Sequence, residues 1–432
     1  MTVTVVGLGK IGLPLAVQYA MKGEQVFGVD INQKTVDCVN EGLEPFPEEE
    51  NLKEFLADVV NDGKLLASTS TSECVSKSDV VVVVVPLFVD ANANPDFAAL
   101  DSATAEIARG LKKGTLVAYE TTLPIGTTRN RFTKTIEEIT GYKVGEDFYV
   151  VFSPERVKTG RVFADLRRYP KIVGGTTREC TAKGVDFYNS VLAFDSRTDL
   201  DRENGVWAVE NCEAAEFVKL AETTYRDVNI GLANQFAKYA DEIGLNIYEI
   251  ISSSNSQPFS NIHQPGIAVG GHCIPIYPQF YLWNDPNATV VRAARESNSE
   301  MPKYVAQKVH ISQEVSQSKS ILILGASYRE NVKELAFSGI FPLYKALKDF
   351  GYSVEVYDPL FTSDELLNAG LSPMISKKSE FSTVIIQNSA EEFRRLFENS
   401  SEWLGLKTIY DGRNYFSGVP PLKDVRLLGL GQ

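Results

Sequence analysis

The sequence predicts an α/β protein: two Rossmann-like doubly wound domains joined by a long central helix and a helical middle domain. Three observations carry this. Short β-branched runs alternate with helical stretches over roughly the first 200 residues, the pattern of a parallel sheet covered on both faces. The first run feeds directly into a glycine-rich turn, Gly7-Leu8-Gly9-Lys10-Ile11-Gly12. A second set of strand-like runs begins near Lys319, beyond a middle region of helical periodicity.

Each element has its reason. Residues 2–6 are β-branched and alternate, so they read as a strand; residues 13–22 read as the helix after the turn. Residues 25–30 form a second strand that ends in Asp30. Residues 80–85 are an unbroken valine run, as a strand buried on both faces requires. Residues 116–119, 148–152 and 171–173 read as further strands. From 210 to 244 the texture is helical, with Phe217, Leu220, Ala221, Thr224, Val228, Leu232 and Phe236 at steps of three and four. Such a helix joins domains and offers a dimer seam, although a plain core helix has the same periodicity. Residues 249–271, rich in Ser, Asn, Gln, Pro and Gly, read as a loop. Residues 320–324, 353–357, 383–387 and 407–410 read as the strands of a second α/β unit.

Composition excludes several classes. A formal net charge of −13 argues against a nucleic-acid binder, which needs a cationic face for phosphates. The longest apolar run, residues 80–85 and beyond, is broken by Pro86 and is too short to cross a bilayer, so no membrane association is expected. The first residues lack a basic stretch followed by an apolar one, so no export signal is expected. Cys38, Cys74, Cys180, Cys212 and Cys273 are scattered and contain no C-x-x-C pair, which suits a reducing cytoplasm. With His263, His272 and His310 the only histidines, no metal site is expected.

The glycine-rich turn lies between a strand and a helix, with Asp30 closing the next strand, which is the context a dinucleotide fingerprint requires. Gly7 permits the tight turn, Gly9 lets the backbone approach a pyrophosphate, and Gly12 lets helix and strand pack closely. Asp30 accepts from an adenosine ribose and repels a 2′-phosphate, so the expected cofactor is NAD. The other notable segment is Gly270-Gly271-His272-Cys273-Ile274-Pro275, where glycines flank one cysteine and leave room for a ligand. Alone, a cysteine such as Cys273 is more often a packed thiol than a nucleophile.

The chain resembles the UDP-glucose/GDP-mannose dehydrogenase family nearly end to end. The resemblance is carried by Glu120-Thr121-Thr122-Leu123-Pro124-Ile125-Gly126-Thr127-Thr128, by Ser153-Pro154-Glu155-Arg156-Val157, by Glu216 to Glu222 with Tyr225 to Ile230, by the Cys273 segment, and by Asp411-Gly412-Arg413-Asn414. The Gly-Gly-His-Cys form is most like the branch acting on UDP-N-acetyl-hexosamines, N-acetylmannosamine or N-acetylglucosamine. The resemblance implies a four-electron oxidation of the sugar C6 alcohol to a carboxylate through a thioester on Cys273, with two NAD⁺ reduced in turn. It implies catalytic roles for Cys273, Lys219, Glu155 and Thr122. It implies cofactor binding by Gly7, Gly9, Ile11, Gly12, Asp30, Lys34, Pro86 and Thr122, and UDP-sugar binding by Glu155, Arg156, Lys219, His263, Gly270, Gly271 and Arg413. It also implies an NAD-binding domain at 1–204, a central helical dimerisation domain with the Cys loop at 205–310, a UDP-sugar-binding domain at 311–432, and a homodimer.

Three positions depart from the family pattern. Tyr277 stands where an aspartate is usual, Thr223 where an asparagine is usual, and Ala336 where an arginine is usual. Two other readings stay open on sequence alone: a two-electron β-hydroxyacid dehydrogenase, which needs neither Cys273 nor the third region, and a nucleotide-sugar-binding homologue with impaired catalysis.

Overall fold

The structure, a computed structural model, describes residues 1–47, 49–90, 92–313 and 319–432. The chain forms two compact units, residues 1–222 with 279–285, and residues 223–278 with 286–432.

The strands of the first unit are β1 (Thr2–Val6), β2 (Gln25–Val29), β3 (Leu65–Ser68), β4 (Val80–Val83), the small antiparallel pair β5 (Phe88–Val89) and β6 (Pro95–Asp96), then β7 (Leu116–Tyr119), β8 (Tyr149–Phe152), β9 (Lys171–Gly175) and β10 (Val206–Ala208). Apart from β5 and β6 they make one eight-stranded sheet in the order β10-β9-β8-β7-β4-β1-β2-β3. The strand order reverses between β1 and β4, and ligands of doubly wound sheets bind outside the carboxyl ends at that point. Gly7 to Gly12 leave β1 there. The valine strand is shorter than its sequence run: β4 ends at Val83, and Val84 and Val85 turn along the rim, with Val84 N still bonded to Val6 O at 2.8 Å and Pro86 exposed. The expectation of a wholly parallel sheet is corrected at one pairing. β9 runs antiparallel to β8, with Val151 opposite Gly175 and Phe152 opposite Gly174, and β10 pairs parallel to β9. The core on one face brings Val3, Val5, Val80 and Val82 against Leu13, Ala16 and Val17 of the helix Gly12–Met21.

In the second unit β11 (Ser320–Leu324), β12 (Ser353–Tyr357), β13 (Thr383–Ile386), β14 (Thr408–Asp411) and β15 (Arg426–Gly429) form an all-parallel sheet, order β12-β11-β13-β14-β15. Alternation along β11 covers both faces. Ile321 and Ile323 join a core with Ile340, Leu343 and Leu347, while Leu322 and Leu324 join one with Phe381, Phe393 and Trp403. This is the second doubly wound domain. The long helix is Cys212–Ile243, 32 residues, and its residues belong to both units. Within the second unit it packs on the helix Thr289–Ser312, where Gly231 lies against Ala294 and Asn234 Nδ2 donates to Asn298 Oδ1 at 2.8 Å.

The stretch 249–271 is not loop throughout. A helix spans Ile247–Ser254, capped by Asn246, whose Oδ1 accepts from Tyr248 N and Glu249 N. Ile247 and Ile251, one turn apart, are buried, and the serines that suggested a loop lie largely outward.

Candidate active site

The turn after β1 is shaped by its glycines. Gly7 has φ +98°, and a Cβ on Gly12 would lie 1.8 Å from the Gly7 carbonyl oxygen, so neither position tolerates a side chain. Gly9 differs: a Cβ there would meet nothing within 4 Å. The open space above Gly9 sits where helix Gly12–Met21 begins, beside Ile11, and suits a pyrophosphate. Asp30 Oδ2 accepts from Leu8 N at 2.9 Å and Oδ1 from Asn32 N at 2.8 Å, which locks the carboxylate to the turn while leaving it half-buried. These residues fit NAD. Lys34 is exposed, its backbone N donating to the Asn32 side chain at a helix start, and Pro86 is exposed at the end of the valine run. Thr122 is buried, beside Thr121, whose hydroxyl donates to Val85 O at 2.7 Å.

The second group of residues converges at the ends of β7, β8 and β9. Lys219 is not solvated. It is buried on the long helix, and its Nζ donates to the Glu155 carbonyl oxygen at 2.6 Å. The Glu155 side chain faces elsewhere: Oε1 accepts from Arg156 N at 2.7 Å and Val157 N at 3.1 Å, and Oε2 accepts from Lys171 Nζ at 2.7 Å. Lys171 also donates to Glu120 Oε2 at 2.6 Å, and Glu120 Oε1 accepts from the Tyr188 hydroxyl at 2.7 Å and the Tyr19 hydroxyl at 3.3 Å. Burial pushes the Glu120 carboxyl up against the pull of Lys171. Burial acts on Glu155 in the same sense, but the Lys171 ammonium and the Arg156 N–H outweigh it and hold that carboxyl below its ordinary value. Arg156 pairs with Glu222 at 3.1 Å.

In the second unit Cys273 is partly exposed, and its carbonyl accepts from Tyr277 N at 2.9 Å at the start of helix Tyr277–Asn284. Gly270 and Gly271 before it are pressed by Tyr328: a Cβ on Gly270 would lie 2.6 Å from Tyr328 Cβ, and one on Gly271, at φ +88°, would lie 3.0 Å from the ring. His272 pairs with Glu334 at 2.9 Å. His263 N donates to Asn229 Oδ1 at 2.8 Å and its ring meets Tyr225 edge-on; burial and Arg226 lower its pKa. Arg413 is buried. Its Nε donates to Gln387 O at 2.8 Å, at the carboxyl end of β13, and a Cβ on Gly266 would lie 2.8 Å from Nη1. Tyr277 begins its helix, Thr223 is buried on the long helix, and Ala336 is half-buried. Among the described residues no group of three or more His, Cys, Asp or Glu could hold a metal ion, and no helix is long and apolar enough to cross a membrane.

Three family models match in order along the chain: the UDP-glucose/GDP-mannose dehydrogenase NAD binding domain over residues 1–192, its central domain over 213–300 and its UDP binding domain over 322–418. The chain belongs to the UDP-glucose/GDP-mannose dehydrogenase family. It is an NAD-dependent UDP-sugar dehydrogenase, and the matched UDP binding domain disfavours the two-electron hydroxyacid reading. A UDP-N-acetyl-D-mannosamine dehydrogenase of Pyrococcus horikoshii is 33% identical over 429 residues, 97% of each chain. One of Escherichia coli K12 is 35% identical over 351 residues, 77% of this chain and 79% of that one. The solved structure of the UDP-D-ManNAc dehydrogenase from P. horikoshii superposes with a TM-score of 0.88 at 30% identity, covering 100% of this chain and 99% of that one.

In this dehydrogenase the first unit brings Glu155, Arg156 and Lys219 together, and the second holds Gly270, Gly271, Cys273 and Arg413 on its own loops. The sequence reading missed Lys171 and Tyr328. A lysine opening a strand that is otherwise buried was the available signal for Lys171; nothing local marks Tyr328.

Proposed function

We propose that this dehydrogenase oxidises C6 of UDP-N-acetyl-D-mannosamine to the uronic acid in two NAD-dependent steps. The observation that carries the reading is identity of 33–36% to several proteins named UDP-N-acetyl-D-mannosamine dehydrogenase, one of them matched along nearly its whole length. Bound NAD⁺ supplies the hydride acceptor, once for each oxidation, held by Gly7, Gly9, Ile11, Gly12 and Asp30 with Lys34, Pro86 and Thr122 nearby.

The C6 alcohol loses a hydride and its hydroxyl proton to give the aldehyde. The Cys273 sulfur adds to the aldehyde carbon as a thiohemiacetal, which loses a second hydride and a proton to become a thioester. Water then attacks the thioester carbon, the carbon–sulfur bond breaks, and the acid and the free thiol are released. Lys219 stabilises negative charge on the substrate oxygen, Glu155 assists water, and Thr122 positions it. Arg156, His263, Gly270, Gly271 and Arg413 bind the UDP-sugar. The three-domain division, 1–204, 205–310 and 311–432, assigns NAD to the first part, dimer contacts and the Cys loop to the second and UDP to the third. A homodimer is supported by the exposed stripe Tyr225, Leu232, Phe236, Tyr239 and Ile243 along one long helix. A cytoplasmic role in making polysaccharide precursors completes the reading.

The test is NADH release across a panel of UDP-sugars, with Cys273→Ser in parallel. About two NADH per sugar, with no uronic acid formed by the variant, support the proposal; normal acid formation by Cys273→Ser overturns the thioester route, and no NADH with any sugar supports the binding-protein reading.

A further inference from the structure

The most unusual chemistry in the first unit belongs to a residue without an assigned role. Lys171 is 4% exposed and carries two carboxylates, Glu155 and Glu120, whose side chains are 11% and 0% exposed. A buried ammonium between two acids is costly to build unless every group is satisfied. Here each is. Glu155 is held by two backbone N–H groups and Lys171, and Glu120 by Lys171 and two tyrosine hydroxyls.

The sheet explains how Lys171 arrives there. Extending the antiparallel register beyond Phe152 and Gly174 sets Glu155 opposite Lys171, and the Ser153 hydroxyl already bonds Ile172 O at 2.7 Å. The first residue of β9 is thereby delivered to the carboxyl ends of its parallel neighbours, the rim where such sheets bind ligands. The charged and titratable groups around Glu155 are Lys171 on β9, Glu120 after β7, Tyr19 and Tyr188 on two helices, Lys219 on the long helix and the neighbouring Arg156.

We propose that Lys171 is a positioning residue for the hydrolytic step: its ammonium fixes the Glu155 carboxylate in one ionised orientation against the 156 and 157 N–H groups, and Glu120 anchors the ammonium. The inference rests on the role of Glu155 proposed above. Lys171 does its work through Glu155, not on the substrate. It acts as the fixed counter-charge that keeps a buried acid ready when the thioester forms.

The experiment follows single turnovers of the full-length enzyme with NAD⁺ and UDP-N-acetyl-D-mannosamine. It measures acyl-enzyme on Cys273 by intact mass and acid release as a function of pH, for wild type, Lys171→Met, Lys171→Arg, Glu120→Gln and Glu155→Gln. Lys171→Met is expected to accumulate acyl-enzyme, slow acid release at least tenfold at neutral pH and move the acidic limb of the profile up by about one unit or more, with Lys171→Arg recovering most of it. Glu120→Gln, which removes the carboxylate that anchors the ammonium, is expected to slow acid release in the same sense as Lys171→Met and to move that limb up by less, and it serves if Lys171→Met does not fold. Slowing without a shift of the limb, or no shift in Glu120→Gln, overturns the inference. Normal hydrolysis by Glu155→Gln overturns instead the role of Glu155 itself, whatever Lys171 does.

Discussion

Two alanine substitutions three residues apart separate the jobs of the glycines in the first turn. In Gly12→Ala the new methyl would lie 1.8 Å from the Gly7 carbonyl oxygen and 3.0 Å from its carbon. Carbon–oxygen contacts normally begin near ~3.3 Å, so the overlap is about 1.5 Å. Both partners are backbone, so the helix must retreat from the strand, at a cost of about 3 kcal/mol or more. In Gly9→Ala the methyl meets nothing within 4 Å, and Gly9 lies outside the left-handed region. The unfolded chain loses freedom, so stability holds or rises by about 0.4–1 kcal/mol. The methyl does occupy the space assigned to the pyrophosphate. Urea unfolding with and without NAD⁺ reads both effects. Wild type gains about 2.7 kcal/mol at a hundredfold excess of NAD⁺ over Kd. Gly12→Ala is expected to unfold early in both conditions; Gly9→Ala is expected to unfold normally without NAD⁺ and to gain little from it. A Gly9→Ala protein that binds NAD⁺ as wild type does would refute the assignment of that space.

Other outcomes follow from the same structure. Asp30→Ser, which keeps a short acceptor but removes the charge, is expected to move the NADP⁺-to-NAD⁺ preference towards NADP⁺ at least about tenfold in kcat/KM; an unchanged ratio means Asp30 does not face the ribose. Burial pushes Glu216 up from 4.5 to about 7 although Thr128 and Gly126 donate to it. The folded protein therefore binds a proton that the unfolded chain has lost, stability is full below about 4.5, and it falls as pH rises to about 7, by roughly 3 kcal/mol. Unfolding of wild type and Glu216→Gln across that window checks this, and a wild-type slope that survives in the variant would assign it to another group. Arg295→Met leaves the buried Asp227 carboxylate without its 2.6 Å partner, and thermal unfolding is expected to show a loss of about 3–5 kcal/mol.

The elements written in side-chain pattern were legible in the sequence, and those written in packing were not. Val80 to Val83 are fully apolar because both faces of β4 are covered, and the glycine turn is conspicuous because Gly7 and Gly12 each face backbone that leaves no room for a side chain. Ile247–Ser254 was hidden because one short buried face is diluted by serines, and only its Asn246 cap and the Ile247–Ile251 spacing betray it. β15 was not foreseen: as an edge strand it is only partly buried and lacks a continuous apolar signature. In the site, the chemistry-bearing residues lay inside recognisable motifs, whereas Lys171 lies in a strand whose direction no local pattern reports. Tyr328 escapes for the same reason, since its contact with Gly270 and Gly271 spans distant segments.

The reversed direction of β9 has a consequence for how this region can vary. Had β9 run parallel to β8, its last residue, not its first, would reach the rim. Because it returns antiparallel, the partnership of 155 with 171 is set by ladder register and not by the length of the connection between them. Insertions or deletions at the exposed residues of that connection, away from the buried Val162, Asp165 and Leu166, can then remodel the surface while the charged centre keeps its partners.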